Sequence, residues 1–143
     1  MNFTEPQRAF LDQNHGGAMI TLRPDGTPNA VRIGVALVDG QLWSSGTQTR
    51  RRTAYVRRDP RATVFVFEAG FRFVTIESQV TILDGPDALQ QSVRLFRVMQ
   101  NRPTGPIAWY GADKTEAEFI ASMVAEQRLI YQFNPIRIYG LPA

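Results

Sequence analysis

Cysteine is absent from the 143 residues. Its absence removes disulfides, thiolate nucleophiles and cysteine-based metal sites together. It also fits a reducing compartment. No run of about 18 apolar residues occurs, so no membrane-spanning helix is expected. The first ten residues, MNFTEPQRAF, lack the basic, apolar and small-residue zones of a signal peptide, and the expected location is the cytoplasm. Histidine occurs once, at His15, beside Gly16 and Gly17. A catalytic triad needs a nucleophile, a base and an orienting group. A capping or surface role is the better reading of a lone histidine at a helix end. No HExxH, paired-carboxylate signature, metal-ligand cluster, Walker-type loop or strand-linked GxGxxG is present. These gaps argue against a hydrolase working with its own side chains. If the chain is an enzyme, a cofactor is expected to carry the difficult chemistry. No catalytic side chain and no metal site is assigned.

Lysine is almost absent too. Lys114 stands alone among 16 basic residues, and the formal charge is +3. Arginine is the residue of planar, two-pronged phosphate and carboxylate recognition. Where the arginines fall is therefore more informative than the net charge.

The length fits one domain, residues 1–143, with a core large enough to need no covalent staples. Thr4 to Asn14 reads as a helix capped by Thr4 and ended by His15-Gly16-Gly17. Ala18 to Leu22 and Asn29 to Val38 read as strands separated by Pro24-Asp25-Gly26. Asp39-Gly40 marks a tight hairpin into Gln41 to Ser45. Thr49 to Arg58 reads as a short amphipathic helix stopped at Asp59-Pro60. Ala62 to Glu68 and Arg72 to Leu83 are strands. Asp87 to Gln100 and Ala117 to Gln127 are helices flanking an irregular loop, Arg102 to Gly111. Leu129 to Tyr139 closes the chain as a strand bulged near Pro135. The order predicts an α+β fold built on an antiparallel barrel, with a helical insert at about residues 86–127.

The strongest local feature is Ser44-Ser45-Gly46-Thr47-Gln48-Thr49-Arg50-Arg51-Arg52. A strand ends in small hydroxyl residues and a helix starts just after it. Open amides at a helix N-terminus attract phosphate, and the hydroxyls of Ser44, Ser45 and Thr47 can add bonds. Two readings stand: an anion site for a phosphorylated ligand, or a solvated basic helix face. Arg32 favours the first, because it interrupts the apolar strand Ala30 to Val38 and a half-buried arginine needs a partner. That partner is either the same phosphate or Glu77 on another strand. The aromatic interleaving of a single-strand nucleic-acid binder is missing between Arg50 and Arg58, where only Tyr55 occurs, so no nucleic-acid partner is expected.

Several ordered pieces resemble the pyridoxamine 5'-phosphate oxidase-like superfamily, flavin and deazaflavin oxidoreductases with a split-barrel fold. Thr21-Leu22-Arg23-Pro24-Asp25-Gly26-Thr27-Pro28 is similar to that family's first hairpin. Leu42-Trp43-Ser44-Ser45, the arginine run and Arg58-Asp59-Pro60-Arg61 are similar to its cofactor-phosphate segment. Thr75 to Val80 resembles its central strand, and Arg128 to Gly140 its closing strand. The resemblance implies that Arg51 and Arg52 bind the cofactor phosphate and that Arg32 lies on a strand lining the site. It also implies that the strand of Trp43 and Ser44 touches the cofactor and that Gln79 faces a flavin. It further implies a homodimer with cofactor sites at the subunit interface.

Two cofactors compete. The short Leu-Arg-Pro-Asp-Gly-Thr-Pro opening is similar to the branch using coenzyme F420, a deazaflavin with a lactyl-glutamate tail. Arg50, Arg57 and Arg58 are candidates for that tail. Gln79 speaks for FMN. The expected function is hydride transfer from reduced coenzyme F420 to an unsaturated organic substrate. The alternatives are an FMN-dependent oxidoreductase and a non-catalytic flavin carrier. Phe96, Met99, Trp109 and Tyr110 on the insert either shape a substrate pocket or form ordinary packing, and packing is the preferred reading.

Overall fold

In the computed structural model, which describes residues 2–143, the β-prone runs join into one curled antiparallel sheet. The chain runs α1 (Glu5–Gln13), β1 (Gly16–Leu22), β2 (Pro28–Gly34), β3 (Ala36–Val38), β4 (Gln41–Thr47) and α2 (Arg51–Arg58). It continues through β5 (Arg61–Phe67), β6 (Phe73–Leu83), α3 (Ala88–Gln100), β7 (Ile107–Trp109), β8 (Ala112–Lys114), α4 (Glu116–Ala125) and β9 (Arg128–Leu141). The main sheet has the order β2-β1-β5-β6-β9-β4-β3.

β2 and β3 stand at opposite edges of that sheet, yet only Val35 separates them in the chain. The sheet must therefore curl until its two edges approach, which makes the structure an α+β split barrel. Ser44 Oγ on β4 donates to the Gly34 carbonyl at 2.6 Å across this seam. The Val35 amide donates to the His15 carbonyl at 2.8 Å, and His15 Nδ1 lies 2.9 Å from the Val35 carbonyl. The lone histidine thus braces the seam.

Alternation along the strands sends Met19, Val64, Ile76, Leu129 and Phe133 into the barrel, where α1 adds Phe10 and Leu11 and α2 adds Val56. A second cluster, Ala36, Val38, Trp43, Leu95 and Ile130, buries α3 against the outside of β3 and β4. A third, Val93, Ile107, Phe119 and Met123, joins α3 to α4.

Local chemistry accounts for the ends. The Thr4 hydroxyl accepts from the Gln7 amide while the Gln7 side chain accepts from the Thr4 amide, and Thr115 and Glu118 repeat this box at α4. Asp39 and Gly40 take φ values of 50° and 76°, the twist a two-residue hairpin needs. The register of β6 against β9 slips between Glu77 and Ser78, opposite Pro135, which has no amide to donate.

Three expectations need correction. Asn29 to Val38 is two strands, because the chain crosses the seam at Val35. Gly16 and Gly17 belong to β1, α1 already having ended at Gln13; a Cβ at Gly17 would run into the Phe65 carbonyl. The loop from Arg102 to Gly111 contains β7, which pairs with β8 through a tight turn at Tyr110 and Gly111, with φ of 49° and 77°. Among the described residues no helix is long and apolar enough to cross a membrane.

Candidate anion and cofactor site

Gly46 sets the geometry of the barrel mouth. A Cβ there would overlap the Tyr131 ring, so glycine lets that ring lie flush beneath β4. The Thr53 hydroxyl on α2 donates to the Thr47 carbonyl at 2.6 Å. Its single proton is thereby used, so the buried Tyr131 hydroxyl is the donor in the bond between Tyr131 and Thr53. These bonds seat the first turn of α2 on the barrel. No side chain caps that helix, so its first amides stay open.

Arg52 precedes Thr53 and is aimed back over the mouth, its guanidinium 5.7 Å from the Tyr131 ring centroid. Its Nε is buried without a hydrogen-bond partner. Burial pushes the Arg52 pKa below the usual arginine value, and the charges of Arg50 and Arg128 push the same way against the favourable pull of Tyr131. The group stays charged, and a half-buried cation without an anionic partner is a cost to the fold. An anion bound at the mouth relieves it.

That mouth is a cavity of about 220 Å³ whose polar wall is Arg32, Ser44, Ser45, Arg50, Arg52 and Arg128. Ser45 Oγ is buried and, like Arg52 Nε, has no partner within the protein. Phe96, Met99 and Trp109 form the apolar wall. Arg128 is ion-paired, to Glu126 at 2.8 Å, and among the described residues Arg32, Arg50 and Arg52 form no ion pair. Arg50 and Arg128 also line a second, neighbouring hollow of about 480 Å³, together with Thr47, Thr49, Tyr110 and Gln127. Unpartnered guanidiniums, a spare hydroxyl and open helix amides form a donor set for phosphate oxygens.

The structure brings Arg32, Ser44, Ser45, Arg50 and Arg52 together at this mouth. Thr47 lines the neighbouring hollow. Trp43 is on β4, but its ring packs outward against α3, with Nε1 donating to Gln132. Arg51 is exposed on α2 and lines neither hollow. Gln79 is exposed on β6 opposite Arg61 and Asn134, and it too lines neither hollow. Arg32 does not meet Glu77, which pairs with Arg137 at 3.2 Å; Arg32 is exposed and reaches the mouth instead. Arg57 and Arg58, considered for an anionic tail, are engaged elsewhere, by Asp84 and by the Arg23 carbonyl.

Two features escape sequence reasoning. Arg128 sits at the start of β9, 76 residues after Arg52, and antiparallel pairing with Thr47 carries it to the mouth. Phe96 and Trp109 both pack edge-on, at 5.0 Å, and line the cavity, so packing and pocket are one set of residues. Tyr110, 80% exposed, packs edge-on against Trp109 at 4.9 Å but lines the neighbouring hollow.

A search of the curated proteins finds no match. Among solved structures, a conserved hypothetical protein from Mycobacterium tuberculosis is 24% identical with a TM-score of 0.74, over 96% of this chain and 84% of that one. A protein described as an F420 reductase is 21% identical with a TM-score of 0.67, over 96% of this chain and 98% of that one. An FAD-binding protein from Mesorhizobium loti is 18% identical with a TM-score of 0.66, over 96% and 94%. At these identities the likeness is one of fold. The family model for pyridoxamine 5'-phosphate oxidase matches residues 3–135, which includes every residue lining the mouth, and the chain therefore belongs to the pyridoxamine 5'-phosphate oxidase family of flavin-binding proteins.

Proposed function

We propose that this chain is an oxidoreductase that binds reduced coenzyme F420 and serves hydride transfer to an unsaturated organic substrate. The observation that carries this reading is Arg52, a half-buried arginine without an anionic partner whose Nε is buried and unbonded, beside the spare hydroxyl of Ser45. Both fit a phosphate. The adjoining hollow, lined by Arg50 and by the Arg128–Glu126 pair, offers room for the tail that extends beyond that phosphate in the deazaflavin. The likeness to an F420 reductase points the same way.

When bound, the deazaflavin supplies the hydride. The protein's part is grip, orientation and exclusion of water. Arg52, Ser45 and the first amides of α2 hold the phosphate, and Arg32 and Arg50 neutralise its charge. Phe96, Met99 and Trp109 supply a dry wall at the same cavity.

FMN is the alternative cofactor, since it carries the same phosphate, and a carrier without turnover is the alternative role. Titrating the purified protein with coenzyme F420 and with FMN, read by cofactor fluorescence, separates the first pair. Tighter binding of coenzyme F420 supports the reading, and tighter FMN binding replaces it. Binding of neither below about micromolar, roughly −8 kcal/mol, rejects it. A reductase assay over a panel of enones and quinones separates enzyme from carrier.

The same reading includes a homodimer in the cytoplasm. Phe65, Phe67, Tyr139 and Leu141 are 36%, 50%, 46% and 54% exposed on the outer sheet face. Arg32, Ala18 and Phe65 are cross-strand neighbours in one row. A second copy covering this apolar face would therefore reach the edge of the cofactor mouth.

A further inference from the structure

The carboxylate of Glu126, in the turn between α4 and β9, has three hydrogen bonds. Its Oε1 accepts from both Nε and one terminal nitrogen of Arg128, at 3.0 and 2.8 Å. Its Oε2 accepts from the indole Nε1 of Trp109, at 2.9 Å. The Arg128 guanidinium also lies over the Trp109 ring, 4.9 Å from its centroid. The Arg128 side chain is only 6% exposed, so these contacts fix a long chain that would otherwise sample many rotamers. Among the described residues, the other terminal nitrogen of Arg128 makes no hydrogen bond. Arg128 stands where the two hollows meet.

We infer that Glu126 and Trp109 are positioning residues that hold Arg128 as an anion-binding residue of the cofactor site. This rests on the proposal that the mouth takes an anionic cofactor. Two charges face each other here, so Glu126 has two conceivable effects on an incoming anion. It can compete for Arg128, or it can orient it. The geometry favours orientation. Glu126 engages one edge of the guanidinium and leaves the other edge unbonded, and the indole bond ties the same carboxylate to the β7–β8 turn. Burial alone would raise the Glu126 pKa, but the bonds from Trp109 and Arg128 and the Arg128 charge outweigh it and hold it below the usual value. The carboxylate therefore stays ionised through neutral pH. The charge of Arg50, at the same junction, reinforces that state.

Glu126→Gln tests the inference. Glutamine puts an NH2 where the carboxylate has its second oxygen, so a donor must face either Arg128 or the indole and the three-bond arrangement is lost. Calorimetric titration with inorganic pyrophosphate, coenzyme F420 and FMN should show Arg128→Met weakening each binder about tenfold or more. Glu126→Gln should weaken them about three- to tenfold, and Trp109→Phe, which keeps a ring but loses the N–H, by less. The ratio between Glu126→Gln and the parent should shrink toward one as pH falls through the Glu126 titration, because protonation gives the parent the same defect. A change that merely loosened the fold would leave that ratio independent of pH. In the free protein, the Trp109 indole N–H should be protected from hydrogen exchange, and Glu126→Gln should remove that protection while the overall spectrum stays folded. Equal or tighter binding by Glu126→Gln assigns the carboxylate as a competitor and overturns the inference. Unchanged binding in Arg128→Met overturns it as well. Arg128-dependent pyrophosphate binding without either cofactor would keep the inference and reject the cofactor reading. No binding of any of the three would reject both.

Discussion

Replacing Arg52 by methionine should move stability and binding in opposite directions. Methionine keeps most of the aliphatic stem and fills similar space beside Tyr131, so no large cavity opens. The substitution removes a charge that has no anionic partner and whose Nε is buried without an acceptor. Against that relief stands the loss of the guanidinium–ring contact with Tyr131, at 5.7 Å. A contact of that kind contributes about 0.5–1 kcal/mol when partly exposed. A buried unpaired polar group costs about 1–3 kcal/mol. The difference favours the variant by about 1 kcal/mol, or roughly 2–4 °C in Tm for a chain of this size. Binding should fall instead. A charge-assisted hydrogen bond to phosphate is worth about 1.5–3 kcal/mol, which is roughly 10- to 150-fold in Kd. Thermal denaturation of the free protein and fluorescence titration with cofactor measure the two sides. A ligand-free variant less stable than the parent by more than about 1 kcal/mol, with unchanged cofactor affinity, would refute the reasoning and make Arg52 a structural cation.

Tyr131→Phe removes the proton donor to Thr53 and should destabilise the protein by about 1–2 kcal/mol in urea denaturation, with weaker cofactor binding as α2 loosens. Gly46→Ala forces a methyl into the Tyr131 ring and should cost about 2 kcal/mol or more, or prevent folding; a Gly46→Ala/Tyr131→Leu double variant should recover part of the loss. The Asp84 pKa is lowered by hydrogen bonds from Arg57 and Gln48 and by the Arg57 charge, so its contribution is present above the ordinary carboxylate pKa and is lost as pH falls through the lowered one. Asp84→Asn should flatten the acid limb of a pH–stability curve there. Phe65→Asp/Phe67→Asp should shift the sedimentation mass from dimer to monomer, and an unchanged mass would move the interface elsewhere.

The barrel was legible in the sequence because each strand states its own case. Val64 and Val66 alternate with Phe65 and Phe67 in Ala62 to Phe67, Asp39-Gly40 marks a tight turn, and Thr4 announces a helix start. What stayed hidden depends on where separate elements meet. Nothing near Val35 marks it as the crossing between sheet edges, because the closure is a property of all seven strands. The β7–β8 turn puts Tyr110 at positive φ, which sequence preference disfavours and the two-residue hairpin through Gly111 requires.

The candidate site shows the same division. The run from Ser44 to Arg52 could be read as an anion grip because strand end, hydroxyls and helix start are contiguous. Its arginines could not be told apart that way. Arg50, Arg51 and Arg52 are consecutive, and helix geometry turns successive side chains by about 100°, so they cannot share one target equally. Only the bond between Tyr131 and Thr53, closing across 78 residues, decides that Arg52 faces the mouth while Arg51 faces solvent. Arg128 is the converse case. It is adjacent to nothing basic in sequence, yet its pairing opposite Thr47 delivers a fourth guanidinium to the same cavity. The polar wall of the mouth is thus assembled from β2, β4, β9 and the start of α2, and its charge is the sum of single arginines that each look ordinary in their own segment. A phosphate grip of this kind is read from which arginines the fold brings to one cavity, and that is a property of the folded surface.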